Sequence, residues 1–166
     1  MKATRLLLVA GLLACGDHAP TGVNPKALLF PPPLPRWGGG LVRCAPLPAD
    51  SVSQVIGPLG GVLEIGPDRL SIPPGALDAP VEITAIAPSD TVNRVGLEPT
   101  GLTFREPVSL TMGYAHCDAL ASLVPKRVAY IDGALAILEL LPSADNRPAR
   151  AVTARLRHFS DYAIAW

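Results

Sequence analysis

Short runs in which apolar and polar residues alternate recur along the chain from residue 51 to the C-terminus. In residues 81–87 every second side chain is apolar, so a strand formed there would bury one face and expose the other. Residues 108–112 and 152–156 repeat this pattern. Glycine and proline interrupt such runs at intervals of roughly 8 to 12 residues, which is typical of a β-sandwich or barrel. The pattern therefore predicts an all-β fold, an antiparallel β-sandwich over residues 51–166.

Two pairs of runs are expected to form β-hairpins. Residues 62–65 and 69–72 flank a Gly-Pro-Asp sequence, whose residue types favour turns. Residues 127–131 and 134–140 flank the Asp-Gly dipeptide at 132–133, a strong signal for a two-residue hairpin turn. Both pairs predict antiparallel neighbours within one sheet.

Three other stretches carry weaker or different signals. Residues 97–104 contain Pro99, which lacks an amide donor, so the early part of this stretch is predicted to be irregular or an edge. Residues 118–124 are the one place where a helix is predicted, about two turns long. In the last predicted strand one face carries Tyr162, Ile164 and Trp166.

The N-terminus has the layout of a secretory signal. Lys2 and Arg5 supply positive charge, and residues 6–13 have no polar side chain. This apolar stretch is too short to remain in a bilayer, because a membrane-spanning helix needs roughly 20 apolar residues. The N-terminal segment is therefore predicted to direct export.

Residues 12–15 read Leu-Leu-Ala-Cys, which resembles the lipobox of bacterial lipoproteins. The resemblance implies that residues 1–14 are a lipoprotein signal peptide and that Cys15 becomes the acylated first residue of the mature chain. Several acyl chains would hold the protein on a membrane, since each buried methylene contributes about 0.8 kcal/mol. We expect an exported lipoprotein of the bacterial cell envelope, at the outer membrane or the periplasmic face. The alternative is a buried apolar segment with an incidental cysteine.

The cysteine count fits the same compartment. The chain has three cysteines, so lipidation of Cys15 leaves Cys44 and Cys117 as a pair. In an oxidising compartment we expect these two to form a disulfide, which would close a loop of roughly 70 residues and contribute about 4 kcal/mol. The alternatives are two free buried thiols, or half of a metal site completed by His116 or Asp118.

Residues 15–50 are predicted to be the lipidated cysteine and an extended linker. Eight prolines and four glycines lie between Pro20 and Pro48, and proline fixes the backbone dihedral and removes a hydrogen-bond donor. Within this linker, residues 41–44 are a candidate edge strand held by the disulfide. The linker is expected to hold the domain away from the membrane.

Composition and charge indicate a folded domain and argue against nucleic-acid binding. Hydrophobic residues make up 49% of the chain, enough for a packed core. The 14 Lys and Arg balance the 14 Asp and Glu, and the mature chain would carry a formal charge of −2 after loss of Lys2 and Arg5. Because phosphate neutralisation supplies most nucleic-acid affinity, a nucleic-acid partner is not expected. We also expect no cofactor and no metal.

Four segments together resemble the ZU-five domain, which is found in zonula occludens proteins, netrin receptors and ankyrins. They are residues 60–63 (Gly-Gly-Val-Leu), 70–77 (Leu-Ser-Ile-Pro-Pro-Gly-Ala-Leu), the Asp-Gly hairpin, and 158–164 (His-Phe-Ser-Asp-Tyr-Ala-Ile). The resemblance covers roughly residues 52 to 166 and implies a β-sandwich that serves as a binding or scaffolding module. In animal proteins the domain has further modules beside it, so their partners are not carried over to this chain.

The tripeptide His158-Phe159-Ser160 matches a sequence at which some ZU-five relatives cut their own chain. The resemblance implies attack of the Ser160 hydroxyl on the Phe159 carbonyl, with His158 accepting the hydroxyl proton and returning it to the leaving amide nitrogen. The alternative is structural: the tripeptide opens the last strand and places Phe159 in the core. Cleavage would release only residues 160–166, so the structural role is the preferred interpretation.

Other chemistry finds little support in the sequence. None of the eight serines lies in a Gly-x-Ser-x-Gly motif, and the carboxylates form no calcium-loop pattern, although an acid–base pair assembled across strands stays open. A ligand-binding module is a third class, with candidate loops at 87–96 and 114–126. Among the aromatic residues Tyr114 and Trp37 are left for stacking, and five are assigned to the core: Phe104, Tyr130, Phe159, Tyr162 and Trp166. The leading hypothesis is an envelope lipoprotein that displays a non-catalytic interaction or structural module to an unknown protein partner.

Overall fold

The computed structural model describes residues 40–118 and 124–166, and these residues are built from strands. No helix in this part of the chain has the length and apolar character needed to cross a membrane. The described residues form eleven strands: β1 Asp50–Ile56, β2 Gly61–Ile65, β3 Asp68–Ile72, β4 Val81–Ala87, β5 Arg94–Glu98, β6 Thr103–Gly113, β7 Arg127–Ile131, β8 Ile137–Leu140, β9 Ser143–Asn146, β10 Ala151–His158 and β11 Asp161–Ala165.

The strands form two antiparallel sheets, which confirms the predicted all-β sandwich. One sheet has six strands in the order β1-β4-β5-β11-β7-β8, and the other has five in the order β2-β3-β6-β10-β9. The main buried cluster draws side chains from both sheets, including Leu70 and Leu110 from one and Ile83 and Leu97 from the other. The alternation seen in the sequence is thus the alternation between this core and solvent.

Strand β11 is buried on both faces. Tyr162 and Ile164 lie in the main core, while Ala163 and Ala165 lie in a second, smaller cluster. A strand covered on both faces has a continuous apolar sequence, and residues 162–165 carry no charged side chain. β11 is therefore the innermost element of the six-stranded sheet.

Residues 40–44 pack beside the end of β11. The Val42 amide donates a hydrogen bond to the Ile164 carbonyl over 2.8 Å, and Leu41 bridges Ala165. These contacts are isolated bridges rather than a regular strand. The compact unit accordingly includes residues that precede β1.

The two predicted hairpins are present, but the second has a longer connection than expected. β2 pairs with β3 and β7 pairs with β8, both antiparallel. β8 begins at Ile137 rather than at residue 134, so the connection runs from Asp132 to Ala136. The Asp132 carboxylate accepts hydrogen bonds from the amides of Ala134 and Ala136, each 2.9 Å long, and Leu135 takes a positive φ of 63°. The aspartate thus holds a five-residue loop instead of a two-residue turn.

The prediction that the early part of residues 97–104 is irregular or an edge was wrong for Leu97 and Glu98, whereas residues 99–102 are irregular. Leu97 and Glu98 lie in β5, which is an inner strand between β4 and β11. Pro99 follows the last residue of that strand, so its missing amide costs the sheet no hydrogen bond. Gly101, with a φ of 80°, then turns the chain toward β6.

The remaining predictions concern three single aromatic residues and the helix. Trp166 lies beyond β11 and is 37% exposed, so its assignment to the core was wrong. Tyr114 is buried, which contradicts its assignment to stacking. The helix predicted at 118–124 falls almost wholly on residues 119–123, outside the described residues, as does Trp37.

Candidate functional site

The His-Phe-Ser tripeptide forms the connection between β10 and β11. β10 ends at His158 and β11 begins at Asp161, so Phe159 and Ser160 make the turn between the two sheets. Phe159 is fully buried and packs edge-to-face on Phe104, with ring centroids 4.8 Å apart. The aromatic residue between two polar ones therefore anchors the crossing in the core.

The His158 ring lies close to the carbonyl of the bond at which cleavage is predicted. Its Nδ1 is 3.4 Å from the Phe159 carbonyl oxygen and 3.5 Å from the Tyr162 hydroxyl. That hydroxyl donates to the His158 carbonyl over 2.7 Å, and the Tyr130 ring stands edge-on to the imidazole at 5.3 Å. The two tyrosines thus fix the position of the imidazole.

Backbone hydrogen bonds hold Phe159 and Ser160 to neighbouring segments. The Phe159 amide donates to the Leu102 carbonyl over 2.9 Å, and the Phe159 carbonyl accepts from the Gly101 amide over 2.9 Å. The Ser160 carbonyl accepts from the Leu97 amide over 3.0 Å. These bonds tie the connection to the residues around Pro99 and explain a structural role without any reaction.

The nucleophile and base needed for self-cleavage are not hydrogen-bonded to each other. Within the described residues no hydrogen bond joins the Ser160 hydroxyl to His158, whose Nδ1 faces the Phe159 carbonyl oxygen instead. A general base must reach the proton that it removes, at about 3 Å or through one water. Self-cleavage through His158, Phe159 and Ser160 therefore remains the alternative, and the structural role remains the preferred interpretation.

We expect the intact mass of the purified protein to remain constant during prolonged incubation at neutral pH. The reason is that the hydroxyl lacks its base and the backbone of the turn is held by neighbouring strands. Mass spectrometry of wild type and Ser160→Ala, incubated side by side, measures this. A wild-type species that lacks residues 160–166 and is absent from Ser160→Ala would contradict the expectation.

The second notable group is a fully buried carboxylate at the start of β3. One oxygen of Asp68, Oδ1, accepts hydrogen bonds from the Asn93 side-chain amide over 3.2 Å and from the Gly113 backbone amide over 3.0 Å. The other oxygen, Oδ2, has no hydrogen-bond partner among the described residues. Burial raises the pKa of Asp68 to about 6, and the two hydrogen bonds offset only part of that rise.

In the sequence, Asp68 belongs to a predicted turn, so its burial was not predicted. Asn93 comes from the segment between β4 and β5 in the other sheet, and its side-chain amide also donates to the Gly113 carbonyl over 2.7 Å. Asp68 therefore connects the two sheets at this end of the sandwich.

A third polar cluster joins β9 to the residues that precede β7. The Asp145 carboxylate accepts from the Tyr114 hydroxyl over 2.6 Å and from the Lys126 backbone amide over 2.9 Å. The buried Lys126 ammonium donates to the Val124 carbonyl and lies 5.9 Å from the centre of the Tyr114 ring. Burial, reinforced by Asp145, raises the pKa of Tyr114 to about 12, and burial lowers the pKa of Lys126. Both oxygens of Asp145 are used within the fold, so this cluster supports structure.

The predicted disulfide between Cys44 and Cys117 is confirmed. The two residues are paired across neighbouring extended segments, and both are buried. The His116 ring lies within 4.8 Å of both sulfur atoms. Because each sulfur is bonded to the other, the alternative of a half metal site has no free thiolate to offer.

The loops predicted to bind a ligand meet at one end of the sandwich but leave little room. β5 occupies residues 94–98, so the first of these loops is limited to residues 88–93. Between this loop, His116 and the β2–β3 turn lies a cavity of about 30 Å³. This is about the volume of one water molecule, so the described parts of the loops form no small-molecule site.

No family model matches the chain, and no curated protein is significantly similar to it.

Proposed function

We propose that the protein is an exported, lipid-anchored envelope protein whose β-sandwich binds an extended segment of a partner protein along β1. The signal-like residues 1–14 and the lipobox-like sequence that ends at Cys15 support the anchoring. The Cys44–Cys117 disulfide is compatible with an oxidising compartment outside the cytoplasm. The resemblance to ZU-five domains, as binding modules, supports the interaction role.

The observation that carries this proposal is the open edge of β1. Among the described residues β1 pairs with β4 along one side, and its other side has no strand partner. It is seven residues long, and after Asp50 its sequence, Ser-Val-Ser-Gln-Val-Ile, contains no charge and no proline. Natural edge strands are usually protected by charges, proline, bulges or shortness. β8, at the other edge of the same sheet, has only four residues, so β1 is the long and unprotected edge.

Exposed apolar side chains flank the turn that follows β1. Val55 is 64% exposed, Leu59 is 89% exposed and Val62 is 37% exposed. The hydrogen bond from the Gly60 amide to the Gly57 carbonyl closes the turn between them, which carries the chain from one sheet to the other. β1 and β2 are edge strands of their respective sheets, so these side chains lie along one margin of the sandwich. Apolar groups at such a margin favour a protein partner.

Site-specific photocrosslinking in the native host tests this proposal. We expect a photoreactive residue at Val55 to form a crosslink to a second protein, whereas one at Leu138 on β8 gives none. Leu138 is a matched control because it is also apolar, lies in an edge strand of the same sheet and is 53% exposed. Introducing Val55→Lys into a variant that carries the crosslinker at Leu59 should abolish the product, since a charge on an edge opposes strand addition.

Two results would overturn the proposal. A crosslink from Val55 to a second copy of the same chain would make β1 a self-association surface, and equal crosslinking from Val55 and Leu138 would remove the preference for β1. The anchor is tested in the same cells with radiolabelled palmitate. Label is expected in the wild-type protein and absent from Cys15→Ser, and an unlabelled wild type would refute lipidation.

A further inference from the structure

We propose that a cavity beside the end of β10 binds a short peptide through its free carboxyl end. The cavity has a volume of about 550 Å³ and is referred to below as the arginine cavity. Its walls include Pro107, Glu139, Leu141, Pro142, Arg155 and Arg157. Small-molecule sites in proteins usually have volumes of roughly 300 to 1,000 Å³, so this cavity has the size of a binding site.

An irregular register between β6 and β10 explains why the cavity lies here. Leu156 pairs with Val108, and the next pair is His158 with Thr103. From the first pair to the second, β10 covers two residues, and β6, which runs in the opposite direction, covers five. The extra residues of β6 form a bulge beside Arg157. Bulges of this kind bend a strand and interrupt its pairing. Pro107, which has no amide to donate, belongs to the bulge and lines the cavity.

Two arginines give the cavity its positive charge. Arg155 and Arg157 are two residues apart on β10, so their side chains leave the strand on the same face. Within the described part of the chain neither guanidinium takes part in a salt bridge, whereas four other arginines do. Guanidinium groups recognise carboxylates through two parallel hydrogen bonds. Two arginines at one cavity wall that form no salt bridge within the described part of the chain therefore favour an anionic ligand group.

The other walls define the rest of the ligand. Leu141 and Pro142 provide apolar surface, which suits an apolar side chain. Glu139 places a carboxylate in the same cavity, which opposes a dianion such as phosphate and favours a ligand with a hydrogen-bond donor or a positive charge elsewhere. A short apolar peptide supplies all three features: a terminal carboxylate, apolar side chains, and amide or ammonium N–H groups.

The sequence already contained part of this signal. Arg155 and Arg157 alternate with Leu156, which marks one polar face of a half-buried strand. Glu139 and Leu141 reach this cavity because the chain passes from β8 in one sheet to β9 beside β10 in the other, which local sequence does not reveal. His158 also lines the arginine cavity, so its free ring surface is available to a ligand whether or not the tripeptide is reactive.

Titration of the ¹⁵N-labelled full chain with leucyl-leucine, followed by NMR, tests the proposal. We expect saturable shifts of amides in β8, in the β8–β9 connection and at residues 155–158. Leucyl-leucinamide, which lacks the carboxylate, should bind at least tenfold more weakly, because a hydrogen bond between charged groups contributes about 1.5 to 3 kcal/mol. Inorganic phosphate should give no saturable shifts at these positions.

Variants locate the site on the arginines. Arg155→Gln and Arg157→Gln should each weaken leucyl-leucine binding about tenfold or more. Arg127→Gln is the matched control, since Arg127 is also an exposed strand arginine without a salt bridge among the described residues, and it should leave affinity unchanged. Equal binding of the amide, equal loss in Arg127→Gln, or absence of saturable shifts would each overturn the proposal. None of these results depends on β1, so they leave the proposed function to its own test.

Discussion

Removal of the Cys44–Cys117 disulfide is expected to lower the free energy of unfolding by about 4 kcal/mol. The two cysteines are 73 residues apart, so the crosslink strongly restricts the unfolded chain. The loss should also have a local effect. Residues 40–45 lie against the 88–93 loop and the segment around His116. The Cys44 amide donates to the Thr91 carbonyl over 2.8 Å, and the Ala45 amide donates to the His116 carbonyl over 3.0 Å. Without the disulfide, the N-terminal segment is held at the end of β11 by backbone hydrogen bonds and by the buried Val42 side chain.

Urea unfolding of wild type and of the double variant Cys44→Ala/Cys117→Ala measures the effect. The double variant should unfold at lower urea concentration, and a reducing agent should shift the wild type but leave the double variant unchanged. Hydrogen exchange should rise first at the Val42 amide, which donates to the Ile164 carbonyl and so joins the N-terminal segment to β11. Superimposable unfolding curves for the oxidised wild type and the double variant would show that the crosslink contributes nothing.

The fold could be predicted largely because most strands bury one face. β4 and β10 show this directly, since every second residue faces the core. β9 could not be predicted in this way, because its sequence, Ser-Ala-Asp-Asn, has no apolar alternation. It is held instead by long-range polar contacts: Ser143 accepts a hydrogen bond from the Val128 amide, and Asp145 binds Tyr114. Such contacts are not encoded within a local window of residues.

β1 and β5 were missed for different reasons. β1 lacks a regular alternation, because Val55 is out of phase with Val52 and Ile56 and is 64% exposed. β5 was obscured by Pro99, which signals a break yet lies one residue beyond the strand. Gly96 within β5 added to the loop signal, although a side chain there would collide with the Asp161 carboxylate. In both cases hydrogen-bonded pairing with a neighbouring strand, rather than the local sequence, determines that the segment is a strand.

The candidate site residues divide in the same way. The disulfide could be inferred by counting cysteines, and Phe159 was assigned to the core because it stands between polar residues at the start of a strand. Asp68 could not be inferred, since its partners Asn93 and Gly113 lie 25 and 45 residues away in sequence. A buried carboxylate is a product of tertiary packing, and in sequence it resembles any aspartate in a turn.

Asp68 should make stability fall as the pH rises from about 4 to about 6. Burial raises the pKa of Asp68 from 3.8 to about 6, so over this range the folded protein keeps a proton that the unfolded chain has already released. The proton stabilises the folded state fully below the unfolded pKa, and this contribution is lost as pH rises through the folded pKa. About two pKa units correspond to about 3 kcal/mol. At neutral pH the fold therefore contains a buried negative charge whose Oδ2 atom has no partner among the described residues.

The difference in unfolding free energy between wild type and Asp68→Asn isolates this group, because the other carboxylates titrate equally in both proteins. Measured by urea unfolding from pH 4 to pH 7, that difference should shift by about 3 kcal/mol in favour of the variant as pH rises. Asp78→Asn is the control: its carboxylate is exposed and paired with Arg105, and we expect its difference curve to be nearly flat. A flat curve for Asp68→Asn as well would mean that Asp68 keeps an ordinary pKa. In that case the hydrogen bonds from Asn93 and Gly113 to Asp68 would offset the whole cost of burying the charge, since a hydrogen bond to a carboxylate is stronger than one to a neutral amide.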